Sequence, residues 1–224
     1  MAELSASILA ADLLNLEREI SLAVKSGIKW VHLDVMDGHF VPNLTMGIPF
    51  GIAIRRKFNV DIESHMMVDN PDKYLDKYCS FSKIVTIHYE APVQTIRVLR
   101  EIESRGSMPG LSINPKTQVS RIEGLLPYTK YVLVMTVEPG FSGQSMIEEA
   151  ADKISLLKEY RERMGMNFLI GVDGGIKKDN ITRIHSLGPD IIVSASAIFS
   201  GNIEENVKSL KNCMKEDQDG QRDC

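Results

Sequence analysis

The amino-acid sequence predicts an α/β fold, a single (β/α)8 TIM barrel over residues 1–214, followed by a polar tail, 215–224, expected to be disordered. Eight short apolar runs rich in β-branched residues alternate with stretches of helical period, and their starts lie about 22 to 36 residues apart, the size of one strand-helix unit. Polar side chains crowd the C-terminal ends of many of these runs, which is where a barrel has its mouth. No G-x-G-x-x-G follows the first run, as an open dinucleotide-binding sheet would want. No composition break or Ser/Pro-rich linker marks a domain boundary.

The first run is "LSASIL", and a helix is expected from Asp12 as N-cap through Leu13, Leu16, Ile20 and Val24 to Gly27 as the residue that ends it. The second, "WVHLDVM", alternates Val31, Leu33 and Val35 with His32, Asp34 and Met36. Period two puts an imidazole and a carboxylate on one face of the strand, so that face looks into the barrel near its mouth. "VDIESHMM" and "SKIVTIH" follow, then a helix after Pro92 with Val93, Ile96, Leu99 and Ile102 on one stripe, closing at Gly106. "MPGLSIN" and "YVLVMTV" lead to a helix that uses Ile147, Ile154 and Leu157. "NFLIGVD" and "DIIVSAS" are the last two strands. The final helix runs from about Asn202 through Val207 and Leu210 to Met214, and "KEDQDGQRDC" beyond it has no apolar period.

Bulk properties narrow the function. The 224 residues carry a formal net charge of −4 and no basic block, which argues against nucleic acid or an anionic membrane surface as partner. No window is apolar enough to span a bilayer, and the opening "MAELSASILA" lacks the basic region and apolar length of a signal peptide. Three widely spaced cysteines form neither a disulfide framework nor a zinc pair. The expectation is a cytoplasmic protein with reduced thiols.

The polar residues at strand ends carry the chemistry. His32, Asp34, His65 and Asp173 come from strands two, three and seven, and a mixed set of two imidazoles and two carboxylates suits a divalent transition metal. Zinc, iron, manganese and cobalt all fit such a set. His88 and Glu90 read as hydrogen-bonding support for the mouth, and Asp37 beside Gly38 as the shaper of a turn. Met36, Met67 and Met135 fall near strand ends and would line the mouth with apolar surface. The loops after the last three strands, "EPGFSGQ", "DGGI" and "SASAIF", are rich in small residues, so backbone N–H groups can approach a phosphate without any Lys or Arg.

The stretches "SASILAADLLNL", "VHLDVMDGHFVPNLTMG", "SHMMVDNP", "VLVMTVEPGFSGQ" and "VDGGI" closely resemble the ribulose-phosphate 3-epimerase family, from about residue 4 to residue 212. The resemblance implies a (β/α)8 barrel that interconverts D-ribulose 5-phosphate and D-xylulose 5-phosphate in the pentose phosphate pathway with one divalent metal. It implies metal ligands at His32, Asp34, His65 and Asp173, and acid/base carboxylates at Asp34 and Asp173. Substrate contacts are implied at Ser7, His65, Gly140, Phe141, Ser142, Gly143, Gly174, Gly175, Ala195 and Ser196. A homo-oligomer is implied as well. Three positions depart from the usual family pattern: Ser142 and Ala195 stand where Gly is usual, and Glu63 where Asp is usual.

The expected chemistry is removal of the C3 proton beside the C2 carbonyl, giving an enediolate that two carboxylates can serve from opposite faces. D-allulose 6-phosphate is the alternative substrate, since Ser142 and Ala195 fall in the phosphate-end loops. A barrel that binds the sugar phosphate without catalysis would lack an acid or a ligand, and none is missing.

Overall fold

Strands of a parallel barrel are covered on both faces, by helices outside and by other strands inside. That is why the eight runs are apolar almost throughout. The computed structural model describes residues 2–219. Its barrel strands are β1 (Glu3–Ser7), β2 (Trp30–Asp37), β3 (Asp61–Met67), β4 (Ile84–His88), β5 (Met108–Ile113), β6 (Tyr131–Met135), β7 (Leu169–Asp173) and β8 (Ile191–Ser194). Each is parallel to the next, and β1 pairs with both β2 and β8, which closes the ring. A two-residue strand, Leu44–Thr45, runs antiparallel to the end of β2.

The helices are α1 (Leu16–Lys25), α2 (Ile48–Lys57), α3 (Leu75–Cys79), α4 (Thr95–Ser104), α5 (Glu148–Ala151), α6 (Lys153–Arg163), α7 (Ile181–Ser186), α8 (Ser196–Phe199) and α9 (Ile203–Asp219). Gly27 and Gly106 follow α1 and α4 with φ of +91° and +86°, the left-handed conformation that ends a helix. Asp12 does not cap α1. Its carboxylate accepts from the Leu14 N–H and the Asn15 side chain, which makes a turn, and the helix starts three residues later than expected, with Asn15 at the N-cap position. The crossover after β5 has short 3-10 turns, Val119–Arg121 and Glu123–Tyr128, in place of an α-helix, and Pro127 denies it an i−4 hydrogen bond. Asn202 caps α9 by accepting from the N–H groups of Glu204 and Glu205. This helix runs past residue 214 to Asp219, so 215–219 continue it; residues 220–224 lie outside the described residues.

The described residues form three separate apolar clusters, the smallest being Met36, Val41 and Met67 at the mouth. Val31, Leu33 and Val35 belong to the large core between strands and helices. Trp30, Ile84, Tyr131, Leu133 and Ile191 fill the lower interior, with Met108 and Leu169 packed against them. Above that layer the interior turns polar, with His32, Asp34, Glu63, His65, Thr86 and His88 all buried.

Candidate metal centre and active site

Strand register assembles the polar layer. On neighbouring strands Asp34 stands opposite His65, His65 opposite Thr86, and Ser7 opposite His32. Asp173 ends β7 on the far side of the ring, beside Met135 of β6. One ligand atom from each of His32, Asp34, His65 and Asp173 lies within 4.8 Å of all the others. His32 Nε2 is 3.3 Å from Asp34 Oδ1, 3.2 Å from His65 Nδ1 and 3.6 Å from Asp173 Oδ2. His65 Nδ1 is 3.4 Å from Asp34 Oδ1 and 3.9 Å from Asp173 Oδ2. A tetrahedron with bonds of about 2.0–2.1 Å has edges of roughly 3.3–3.4 Å. The four atoms therefore already stand near the corners of such a site, and the donor set fits a divalent cation.

The other ring nitrogens face away from that centre. His32 Nδ1 is 2.9 Å from Glu63 Oε2. His65 Nε2 is 2.8 Å from His88 Nε2, and His88 Nδ1 is 3.3 Å from Glu90 Oε2. Glu90 also accepts from the Asn114 N–H and the Thr117 hydroxyl. Carboxylate support behind a ligand imidazole fixes its tautomer and ring orientation. Ser7 donates its hydroxyl to Asp34 Oδ2 at 2.6 Å.

Without a cation, crowding in this low-dielectric pocket splits the titrations. Burial opposes protonation of His32, yet the charges of Glu63 and Asp34 outweigh it and hold its pKa well above the ordinary value. Burial pushes the Asp173 carboxyl up to about 7, aided by the nearby Asp34 and Glu63 charges. Asp34 goes the other way: burial is outweighed by His32 and His65, and it stays ionised well below the usual carboxylate range. Burial lowers His65, and it pushes His88 down to about 4.

Above the cluster opens a small cleft that leads out to solvent. Ser7, Asp34, Met36, Met67, Met135, Gly140, Phe141, Ser142, Gly143, Asp173, Gly174, Gly175, Ala195 and Ser196 line it. His32 and His65 lie beneath, with no exposed surface. Gly174 and Gly175 take φ of +120° and +66°, and a Cβ on Gly175 would come within 2.6 Å of the Met146 backbone nitrogen. Ala195 has a negative φ, −110°, so the position does not call for the left-handed conformation that favours glycine. The first N–H groups of α8, which starts at Ser196, have no carbonyl within the helix to bond.

The loops over the mouth hold one another. Asp37 accepts from the N–H groups of His39, Phe40 and Asp69, so it shapes its own turn and ties it to the loop after β3. The Asn43 side chain donates to the Gly140 carbonyl at 3.0 Å, and the Phe40 ring lies against His88. Gln144 donates to the Glu138 and Phe141 carbonyls and keeps the "GFSG" loop folded. Lys177, two residues after the glycine pair, also lines the cavity. Its signal in the sequence is the cation in "DGGIK".

The chain is similar to known proteins over nearly its whole length. Residues 3–199 match the model of the ribulose-phosphate 3 epimerase family. A ribulose-phosphate 3-epimerase of Aquifex aeolicus is 40% identical over 216 residues, covering 96% of this chain and 97% of that protein. One from Treponema pallidum is 41% identical over 201 residues, covering 89% and 92%. Among solved structures, 3-hexulose-6-phosphate synthase from Salmonella typhimurium superposes with a TM-score of 0.70 at 15% identity, covering 96% of this chain and 99% of that one, a likeness of fold. No helix among the described residues is long and apolar enough to cross a membrane.

Proposed function

The chain belongs to the ribulose-phosphate 3-epimerase family, and from that premise we propose that it interconverts D-ribulose 5-phosphate and D-xylulose 5-phosphate by moving the proton on C3. The observation that carries the reading is the pair of carboxylates, Asp34 and Asp173, gathered with two imidazoles beneath a cavity whose far side is built of small residues.

Epimerisation takes a proton from one face of C3 and returns one to the other, which two carboxylates on different strands can do. Asp34 and Asp173 are the acid/base pair of this proposal. His32, Asp34, His65 and Asp173 would hold a divalent first-row ion, whether zinc, iron, manganese or cobalt, and such an ion supplies positive charge to the enediolate oxygens. Ser7 orients Asp34 through its hydrogen bond and stands within reach of substrate oxygens. Met36, Met67 and Met135 exclude water around the planar intermediate. The phosphate sits against Gly174, Gly175, Ala195, Ser196 and the loop Gly140–Phe141–Ser142–Gly143, with Lys177 at its edge.

Steady-state assays on D-ribulose 5-phosphate and D-allulose 6-phosphate, after chelation and metal add-back, test this. The expected result is loss of activity on chelation, recovery with at least one of the four metals, and a higher kcat/KM on the pentose. A larger kcat/KM on the hexose overturns the substrate; full activity without metal overturns the centre. Cytoplasmic location is carried from the bulk sequence properties and self-association from the resemblance, and cell fractionation and light scattering read them.

A further inference from the structure

Glu63 lies in the middle of the barrel interior with no exposed surface. Burying a carboxylate at that depth is costly unless it is hydrogen-bonded. Its three described side-chain partners are His32, Thr86 and Tyr131, and none is a Lys or Arg. Oε1 accepts from the Thr86 hydroxyl at 2.8 Å. Oε2 accepts from the Tyr131 hydroxyl at 3.2 Å and stands 2.9 Å from His32 Nδ1.

Two glycines make this cradle possible. A Cβ on Gly110 would lie 2.4 Å from Thr86 Oγ1, and one on Gly171 would lie 1.9 Å from the Tyr131 hydroxyl oxygen. The strands bearing these glycines omit a side chain where each hydroxyl passes on its way to Glu63. A space-filling role in the interior is met by apolar residues, as Trp30, Ile84 and Leu133 show one layer down. Glu63 is therefore held for its charge and its lone pairs, and the ring it faces is His32.

The geometry of that ring fixes the consequence. A proton on Nδ1 bonds Glu63, which leaves the lone pair on Nε2, the atom 3.3 Å from Asp34 and 3.2 Å from His65 Nδ1. The reverse tautomer would set a lone pair against a carboxylate at 2.9 Å and aim a proton into the ligand cluster. His65 has no such direct support: its Nε2 meets another imidazole, His88, and only then the carboxylate of Glu90.

We propose that Glu63 is a positioning residue for the metal centre, fixing the His32 tautomer and aiming Nε2 at the cation, with Thr86 and Tyr131 holding the carboxylate in place. The proposal rests on the metal-centre reading above. It gives a role to the Glu that stands where the family usually has Asp.

The test is zinc affinity, measured by competition with a chelating dye, together with the His32 Nδ1–H proton resonance of the zinc-loaded protein. Glu63→Gln keeps the shape and removes the charge. The expected result is a folded protein by circular dichroism, zinc bound ~10- to 100-fold more weakly, and an Nδ1–H resonance moved upfield. An affinity within about twofold of the parent's, with an unmoved resonance, overturns the proposal. Should Glu63→Gln not fold, Tyr131→Phe and Thr86→Val each remove one donor to the carboxylate. Both are expected to weaken zinc binding several-fold, and parental affinity in both overturns the proposal. A parent protein that binds none of zinc, iron, manganese or cobalt overturns the metal reading itself, whereas tight parental binding with unchanged variants overturns the role of Glu63 alone.

Discussion

The metal cluster and the phosphate end face one cavity but are built by opposite means. The cluster is made of side chains on strands, fully or nearly buried, and aligned by register: Asp34 opposite His65, Ser7 opposite His32. The phosphate end is made of backbone, from loops whose shape depends on left-handed glycines at 140, 143, 174 and 175. The first is specified by what each residue carries, the second by what each residue lacks. Substitutions at the two ends should therefore fail differently, one in turnover and metal, the other in substrate affinity.

The largest effect is expected at the cluster. Asp34→Asn and Asp173→Asn should each lower kcat by at least ~10²-fold, the low end for a positioned acid or base. Metal content must be measured beside the rate, because both are also ligands. Near-parental turnover by either variant with full metal would end the two-base assignment.

At the other end, Gly175→Val forces a branched side chain onto φ +66° and against the Met146 backbone. KM for the pentose phosphate should rise by about 10-fold, some 1.4 kcal/mol of binding, while zinc affinity stays parental. A thermal melt separates this from general unfolding. Weakened zinc binding in this variant would show that the two ends are not independent.

A change of pH should act on the cluster alone. The Asp173 pKa of about 7 and the raised His32 pKa mean that protons compete with the cation as pH falls. Asp34, held low, stays ionised throughout and contributes nothing to the change. The sign is weaker metal binding at lower pH, with zinc Kd at pH 6 roughly tenfold or more above that at pH 8. A flat profile from pH 6 to 8 would contradict it.

The smallest effect belongs to Ala195→Gly. With φ at −110°, Ala195 lies outside the left-handed region that favours glycine, so the change should alter KM and stability by no more than about 0.5 kcal/mol. A large gain in substrate affinity would mean that the methyl group crowds the phosphate.

The same contrast governs what could be read from the sequence. His32 and Asp34 betray themselves because polar residues break an apolar strand at period two, a local signal. The barrel follows from the spacing of the runs, and Gly27 and Gly106 stop their helices where the pattern ends. Contacts across the interior leave no local trace. Tyr131 reads as the aromatic start of an apolar strand, yet its hydroxyl reaches a carboxylate 68 residues earlier in the chain. Gly110 and Gly171 read as weak points in strands until the side chains that need their space are seen. Asp12 has the right chemistry for a cap, and only the backbone decides that it makes a turn instead. The crossover after β5 loses its helix to Pro127, a breaker visible in "EGLLPY".

Closure of the ring has a consequence for how the molecule is made. β1 pairs with β8, so Glu3 lies opposite Ile191, residues about 190 positions apart. Until β8 leaves the ribosome, β1 has only one neighbour and the nascent sheet keeps two open edges. Three of the four cluster residues are synthesised by residue 65, whereas Asp173 arrives more than a hundred residues later. The emerging chain thus carries an imidazole–carboxylate trio on an unclosed sheet, able to attract a cation before the ring that gives it purpose exists.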